Sequence, residues 1–223
     1  ETGYARCVAV LCLAFSPPAF AASQPPDQGW HRVASGDTHR VDTLHEPDAV
    51  WIRMRGRVAA PIDATCRVLA NVSAYGDWLP GLAESQVVDT PSGTSLIYGR
   101  IDAPWPMRDR DYLSQQRWRR LEDGLELETR ATREPSLASA LDLPTDTVRL
   151  RRMLTLGSLR PDGPDTLIEY VVREPGERNW IQDLLVRRSA SITPTLLSNL
   201  QDAARTAPDG EDELGDVCAE LLR

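Results

Sequence analysis

Lysine is missing from this 223-residue chain, and all 25 basic residues are arginine. Against them stand 33 acidic residues, for a formal charge of -8. That balance excludes the broad basic field that binding to a phosphate backbone requires, so nucleic acid is not an expected partner. Histidine is scarce and confined: His31, His39 and His45 all precede residue 47, leaving the rest of the chain without the usual acid–base and metal-ligating side chain. There is no Gly-x-Ser-x-Gly elbow, His-Glu-x-x-His pair, phosphate-cradling glycine loop or Cys-x-x-Cys, so no common catalytic or metal-binding motif is present. Long apolar runs are missing too. The run from Cys7 to Phe15 falls well short of the about 20 residues that span a bilayer. The bias toward Arg, Ala and Pro reads as GC-rich coding, and so as a bacterial source.

What is present begins with a leader. Arg6, the apolar run and the small-x-small sequence Ala19-Phe20-Ala21 read as a signal peptide over residues 1–21, which predicts a periplasmic or secreted protein. Cleavage there removes Cys7 and Cys12 and leaves Cys66 and Cys218. Two cysteines are too few for a disulfide framework, and the pair is open to two readings: a single bridge, or plain buried thiols, since Cys66 shares a helical stripe with Ile62 and Leu69. Residues 22–46 are polar, carry two prolines and show no sustained period, so an irregular lead-in is expected.

From Ala49 the apolar period is two. Val50, Ile52, Met54 and Val58 alternate with Trp51, Arg53, Arg55 and Arg57, as in a strand with one wet face. Pro61 and Asp63 open a helix with Ile62, Cys66, Leu69 and Val72 on its buried side, ending at Tyr75-Gly76-Asp77. Further strands are predicted at about 84–89, 94–102, 111–121, 124–132, 147–157 and 165–173, joined by turn sequences such as Asp123-Gly124 and Pro161-Asp162-Gly163. A long helix follows from about Asn179 to Arg205, which Pro194 should kink or split. The remainder, 206–223, is an acidic tail with room for a short helix at Glu213 to Leu222. This order predicts an α+β fold in which a curved antiparallel sheet wraps a long C-terminal helix, a shape that encloses an interior suited to a ligand.

Three stretches carry a resemblance. Pro104-Trp105-Pro106-Met107-Arg108-Asp109-Arg110-Asp111-Tyr112, leading into a strand, resembles the Pro-x-x-x-Arg-Asp-aromatic signature of StAR-related lipid-transfer (START) domains. Residues 61–82, with Trp78-x-Pro80, are similar to the family's first helix, and 179–200 to its last. The resemblance covers about 49–205, and the ligand-binding domain it implies is set at 47–205. The resemblance implies a helix-grip fold of the Bet v 1-like kind, a tunnel for a sterol, phospholipid or other apolar small molecule, no cofactor, transient membrane contact, and a mobile C-terminal helix. Where the family often has Trp-Leu-Val-Asn, this chain has Leu184-Leu185-Val186-Arg187 preceded by Trp180, a departure that bears on the lid.

Candidate ligand-binding residues follow. Alternation places Arg152 on the side of Val148, Leu150, Leu154 and Leu156, and Tyr170 between Ile168 and Val172, so either can fix a ligand's polar end; the plainer readings are a structural ion pair and core packing. Trp78 and Trp105 are candidates for the cavity rim, Arg117 for an inward charge on a wet strand, and Trp180 and Leu184 for the lid stripe. Arg108 to Asp111 read better as an ion-pair network at a strand entry than as catalytic groups. Asn71-Val72-Ser73 matches a glycosylation acceptor but falls on a predicted helix, so it is set aside. A polyketide cyclase or aromatase using the same kind of cavity, and a protein-interaction module with an exposed apolar groove, are the competing functions. A monomer is expected.

Overall fold

The computed structural model describes residues 25–89, 95–103, 107–132, 143, 146–150, 152–176, 179–207 and 213–223. Its strands are β1 (His31–Ser35), β2 (His39–Glu46), β3 (Ala49–Val58), β4 (Leu82–Asp89), β5 (Ser95–Ile101), β6 (Arg110–Leu121), β7 (Gly124–Ala131), β8 (Val148–Arg149), β9 (Leu154–Asp162) and β10 (Asp165–Pro175). Its helices are α1 (Ile62–Ala70), α2 (Tyr75–Trp78), α3 (Trp180–Thr206) and α4 (Glu213–Leu222), with a 3-10 turn at Val72–Ala74. The strands form one sheet in the order β1-β2-β3-β10-β9-β7-β6-β5-β4, antiparallel throughout except for the two-residue β8, which runs parallel to the start of β6. Strands from β3 across to β5 line one interior under α3, so the sheet is curved around the helix: an α+β helix-grip architecture.

The region expected to be an irregular lead-in is instead β1 and β2, and β2 pairs with β3 from His39↔Gly56 to Glu46↔Ala49. The period was hidden because β2 buries side chains on both faces: Val41, Asp42, Thr43 and Leu44 are all covered. Asp42 lies on the outer face with its carboxylate wholly out of solvent. It accepts hydrogen bonds from Arg40 at 2.7 Å and Arg55 at 2.6 Å, with Arg53 at 3.4 Å. Burial alone would raise its pKa, but the hydrogen bonds and charges of Arg55 and Arg40 outweigh burial and hold it below the ordinary aspartate value.

The predicted strand at 147–157 divides. β8 ends at Arg149, a bend carries Arg152, and β9 begins at Leu154. The break reverses the expected facing of this segment. Leu154 and Leu156 pack with Leu44, Trp51, Val171 and Trp30 on the convex side, while Thr155 and Gly157 face the interior. The sheet is therefore apolar on part of both faces, which simple alternation cannot reveal.

α3 runs unbroken from Trp180 through Pro194 to Thr206. Asn179 caps it, its side-chain oxygen accepting from the backbone N–H groups of Ile181 and Gln182. Proline donates no N–H at position 194, and the Thr193 hydroxyl bonds back to the Ser189 carbonyl one residue earlier. The helix lies close on β3 because residue 56 is glycine: a Cβ there would sit 2.3 Å from Leu197. α4 does not trail away as a tail. It packs on α1, and Cys66 and Cys218 form a disulfide with Cα atoms 6.0 Å apart across 152 residues of sequence. Both sulfurs lie in the main core with Val58, Trp78, Leu125, Leu197 and Leu200. The folded unit therefore reaches beyond 47–205 at both ends.

Candidate functional site

Between the concave face of the sheet and α3 lies a cavity of about 270 Å³. Its floor comes from β3, β5, β6, β7, β9 and β10, its rim from Leu79-Pro80-Gly81 after α2, and its roof from Leu185, Ser189, Ile192 and Leu196 of α3. Apolar side chains dominate the lining, and Arg188 is its one charged residue among those described. Arg188 approaches Gly81 and donates a long 3.5 Å hydrogen bond to the Asp102 carbonyl, at the rim.

The polar groups inside are concentrated in three tyrosines and their neighbours. Tyr75 donates to the Leu69 carbonyl and accepts from Gln116 Nε2 at 3.1 Å. Tyr170 has the Thr155 hydroxyl within hydrogen-bonding reach. Tyr112 is 7% exposed, and its hydroxyl has no protein partner among the described residues. Burial pushes all three phenols above their ordinary pKa, and the proximity of the others raises Tyr75 and Tyr112 further. Trp78 lies beside them, its ring edge-on to Tyr75 at 5.5 Å between centroids; its Nε1–H is buried without a partner.

Of the residues named from the sequence, Tyr170 and Trp78 line this cavity. Arg152 does not. It sits exposed on the bend between β8 and β9, because the strand on which its inward facing rested ends at Arg149. Arg117 is exposed on the outer face of β6, opposite Glu128, since Tyr112 and Gln116 set the inner face of that strand. Trp180 is 60% exposed at the first turn of α3, and Leu184 is half-buried and off the lining, where its neighbour Leu185 takes the inward position. Trp105 lies outside the described residues.

The charged signature 108–111 forms a clasp outside the cavity. Asp109 meets Arg100, Arg110 meets Glu174 at 3.1 Å, and Asp111, fully buried, takes a two-pronged hydrogen bond from Arg149 at 2.6 and 2.7 Å. Arg108 is exposed. Asp111 thereby ties β8 to β6 and sets Tyr112, one residue on, facing inward. The sequence reading used Tyr112 only as the aromatic of a signature and passed over Tyr75, Gln116, Thr155 and Arg188. The i, i+4 pair Tyr112 and Gln116 on one strand face was the signal that could have found the polar end.

No metal-ligating cluster occurs among the described residues, and none of their helices is long and apolar enough to cross a membrane. A curved sheet gripping a C-terminal helix over an apolar cavity is the helix-grip fold of START domains. Solved structures share it. Human STARD10 aligns with a TM-score of 0.65 at 15% identity over 81% of this chain and 74% of that one. A STAR-related lipid transfer protein fragment from Xanthomonas axonopodis aligns at 0.63 and 22% identity, over 80% of this chain and all of that fragment. Human StAR-related lipid transfer protein 5 aligns at 0.64 and 15% identity, over 82% and 90%. At these identities the likeness establishes the fold. No protein-family model and no curated protein matches the sequence.

Proposed function

We propose that the protein binds a lipid or similarly apolar small molecule in the cavity under α3, and carries it between membranes without chemical change. The observation that carries this reading is the cavity itself: a partly open, largely apolar space with a few polar groups gathered among the tyrosines and one charge at the rim. Solved proteins of the same fold are named for lipid transfer, which supports the reading. Entry requires α3 or the Leu79-Pro80-Gly81 rim to move, because together they roof the space. Export is part of the proposal. The leader-like residues 1–21 support it, and so does the Cys66–Cys218 bridge, since disulfides persist in oxidising compartments.

The test is a vesicle assay with labelled sterol and labelled phospholipid in donor liposomes. Transfer to acceptor liposomes in proportion to protein concentration is expected, with hydrogen exchange in 179–205 slower in the loaded protein. A covalently altered ligand recovered after incubation would instead assign the cavity to a cyclase-like enzyme.

A further inference from the structure

We infer that the tyrosine end of the cavity is a recognition site for an uncharged oxygen on the guest, a carbonyl, ester or hydroxyl, with Tyr112 as the residue that contacts it. This rests on the cavity reading above and narrows the guest to a neutral, oxygen-bearing apolar molecule.

Two donors carry the inference. Tyr112 is buried on β6 and faces the cavity, yet its hydroxyl has no protein acceptor among the described residues. Trp78, 7% exposed, also lines the cavity, with its Nε1–H buried and unpaired. A donor left unpaired in an apolar cavity is costly, so the Tyr112 hydroxyl, with the buried Trp78 Nε1–H in the same neighbourhood, marks a place for an oxygen that the chain does not supply. The two belong to one neighbourhood: Tyr75 packs edge-on against Trp78 and sits in the same apolar cluster as Tyr112. Tyr75 itself is already satisfied by Leu69 and Gln116. Tyr112 is also held in place. Its ring lies over Gly99, its partner on β5, where any Cβ would come within 2.3 Å of it.

The same site disfavours an anion. A buried carboxylate needs a paired cation, and the lining's one charge, Arg188, stands at the Gly81 rim, reaching toward the Asp102 carbonyl. Burial already holds the three phenols neutral well above their usual range, and that environment opposes a bound carboxylate equally.

The experiment displaces diphenylhexatriene, a hydrocarbon probe, from the whole protein with three guests of equal length: dodecane, dodecanol and dodecanoate at neutral pH. Dodecanol is expected to displace the probe at about three- to tenfold lower concentration than dodecane, the effect of one neutral hydrogen bond. Dodecanoate should gain no such advantage. Tyr112→Phe should erase the alcohol's advantage and leave dodecane's midpoint where it was, without lowering the unfolding midpoint of the empty protein, since it removes a hydroxyl that has no partner there. Equal displacement by alcohol and alkane overturns the inference while leaving the cavity reading intact. Strongest displacement by dodecanoate overturns it in favour of a head group at Arg188. A Tyr112→Phe effect equal on all three guests reduces Tyr112 to packing. Failure of the folded protein to bind probe or guest defeats the cavity reading itself.

Discussion

Tyr112 and Gly99 face each other directly across β5 and β6, and the phenol ring folds over the glycine so closely that residue 99 has no room for a side chain. A methyl group there would meet the ring at 2.3 Å. Gly99→Ala should therefore swing Tyr112 off its place and destabilise the fold by about 1–3 kcal/mol, as overpacking does. Urea unfolding measures the stability, and probe displacement the site. A variant as stable as the parent, with an unchanged alcohol preference, would show that Tyr112 is not held by this contact.

The tyrosines also set an alkaline limit. Burial raises Tyr75, Tyr112 and Tyr170 above the ordinary value of 10.0, and Tyr98 is likewise raised by its burial and by Asp111 and Glu84. With Tyr4 they make up the five tyrosines of the chain. In the unfolded chain each loses its proton near pH 10 while the folded form keeps it. The tyrosines' contribution to stability is thus flat below that pH and falls above it, by about 1.4 kcal/mol per pH unit for each tyrosine involved. Absorbance at 295 nm should show little phenolate at pH 10 and then rise together with unfolding. Half-ionisation near pH 10 in a folded sample would contradict the burial of these groups.

Asp42 gives the acid counterpart. Its folded pKa is depressed by Arg55 and Arg40 against the opposing pull of burial, so its contribution is present above about pH 4 and is lost as pH falls through the folded value. Asp42→Asn should cost about 2–3 kcal/mol near neutral pH, toward the low side for a buried pair because Arg40 and Arg55 are each more than a third exposed. The variant should also lose less stability than the parent between pH 5 and pH 3, with the usual range of aspartate titration as the window. Matching acid profiles would assign that pH dependence elsewhere.

The bridge between α1 and α4 closes 152 residues. By loop entropy it stabilises the fold by up to about 5 kcal/mol, and Cys218→Ser is expected to lose about 3–5 kcal/mol of that. Equal unfolding midpoints for the native protein and the variant, in the absence of reductant, would mean that the bridge constrains nothing. Intact-mass measurement of the native protein checks the bond independently, by a gain of about two daltons on reduction.

Much of this architecture was legible in the chain. β3, β5, β6 and β7 alternate or end at clear turns, and α3 carries its cap at Asn179 and a long stripe, so their positions follow from period and punctuation. The segments that misled are those whose burial is decided by distant partners. β2 buries both faces because β3 and the Arg40–Asp42–Arg55 network cover them, and no local period reports that. The facing of Leu154 and Leu156 depended on a bend at Arg152 that the apolar pattern does not mark. The candidate site divided in the same way. Tyr170 fell inside because its strand was placed well, and Trp78 lies inside too, whereas Arg152 and Arg117, chosen for their charge, and Trp180, chosen for its place on a helical stripe, lie outside. Pro194 was given more power to break a helix than it has where sheet and core hold both halves.

The central claim is that a single apolar molecule occupies the space between the sheet and α3, and native mass spectrometry after incubation with a total lipid extract tests it most directly. The expected spectrum shows a folded monomer carrying one non-covalent adduct. Collisional release should identify it as a neutral, oxygen-bearing lipid, and the adduct population should fall in Tyr112→Phe. A folded protein that emerges from the same extract at its bare mass, at every lipid concentration tried, would contradict the account.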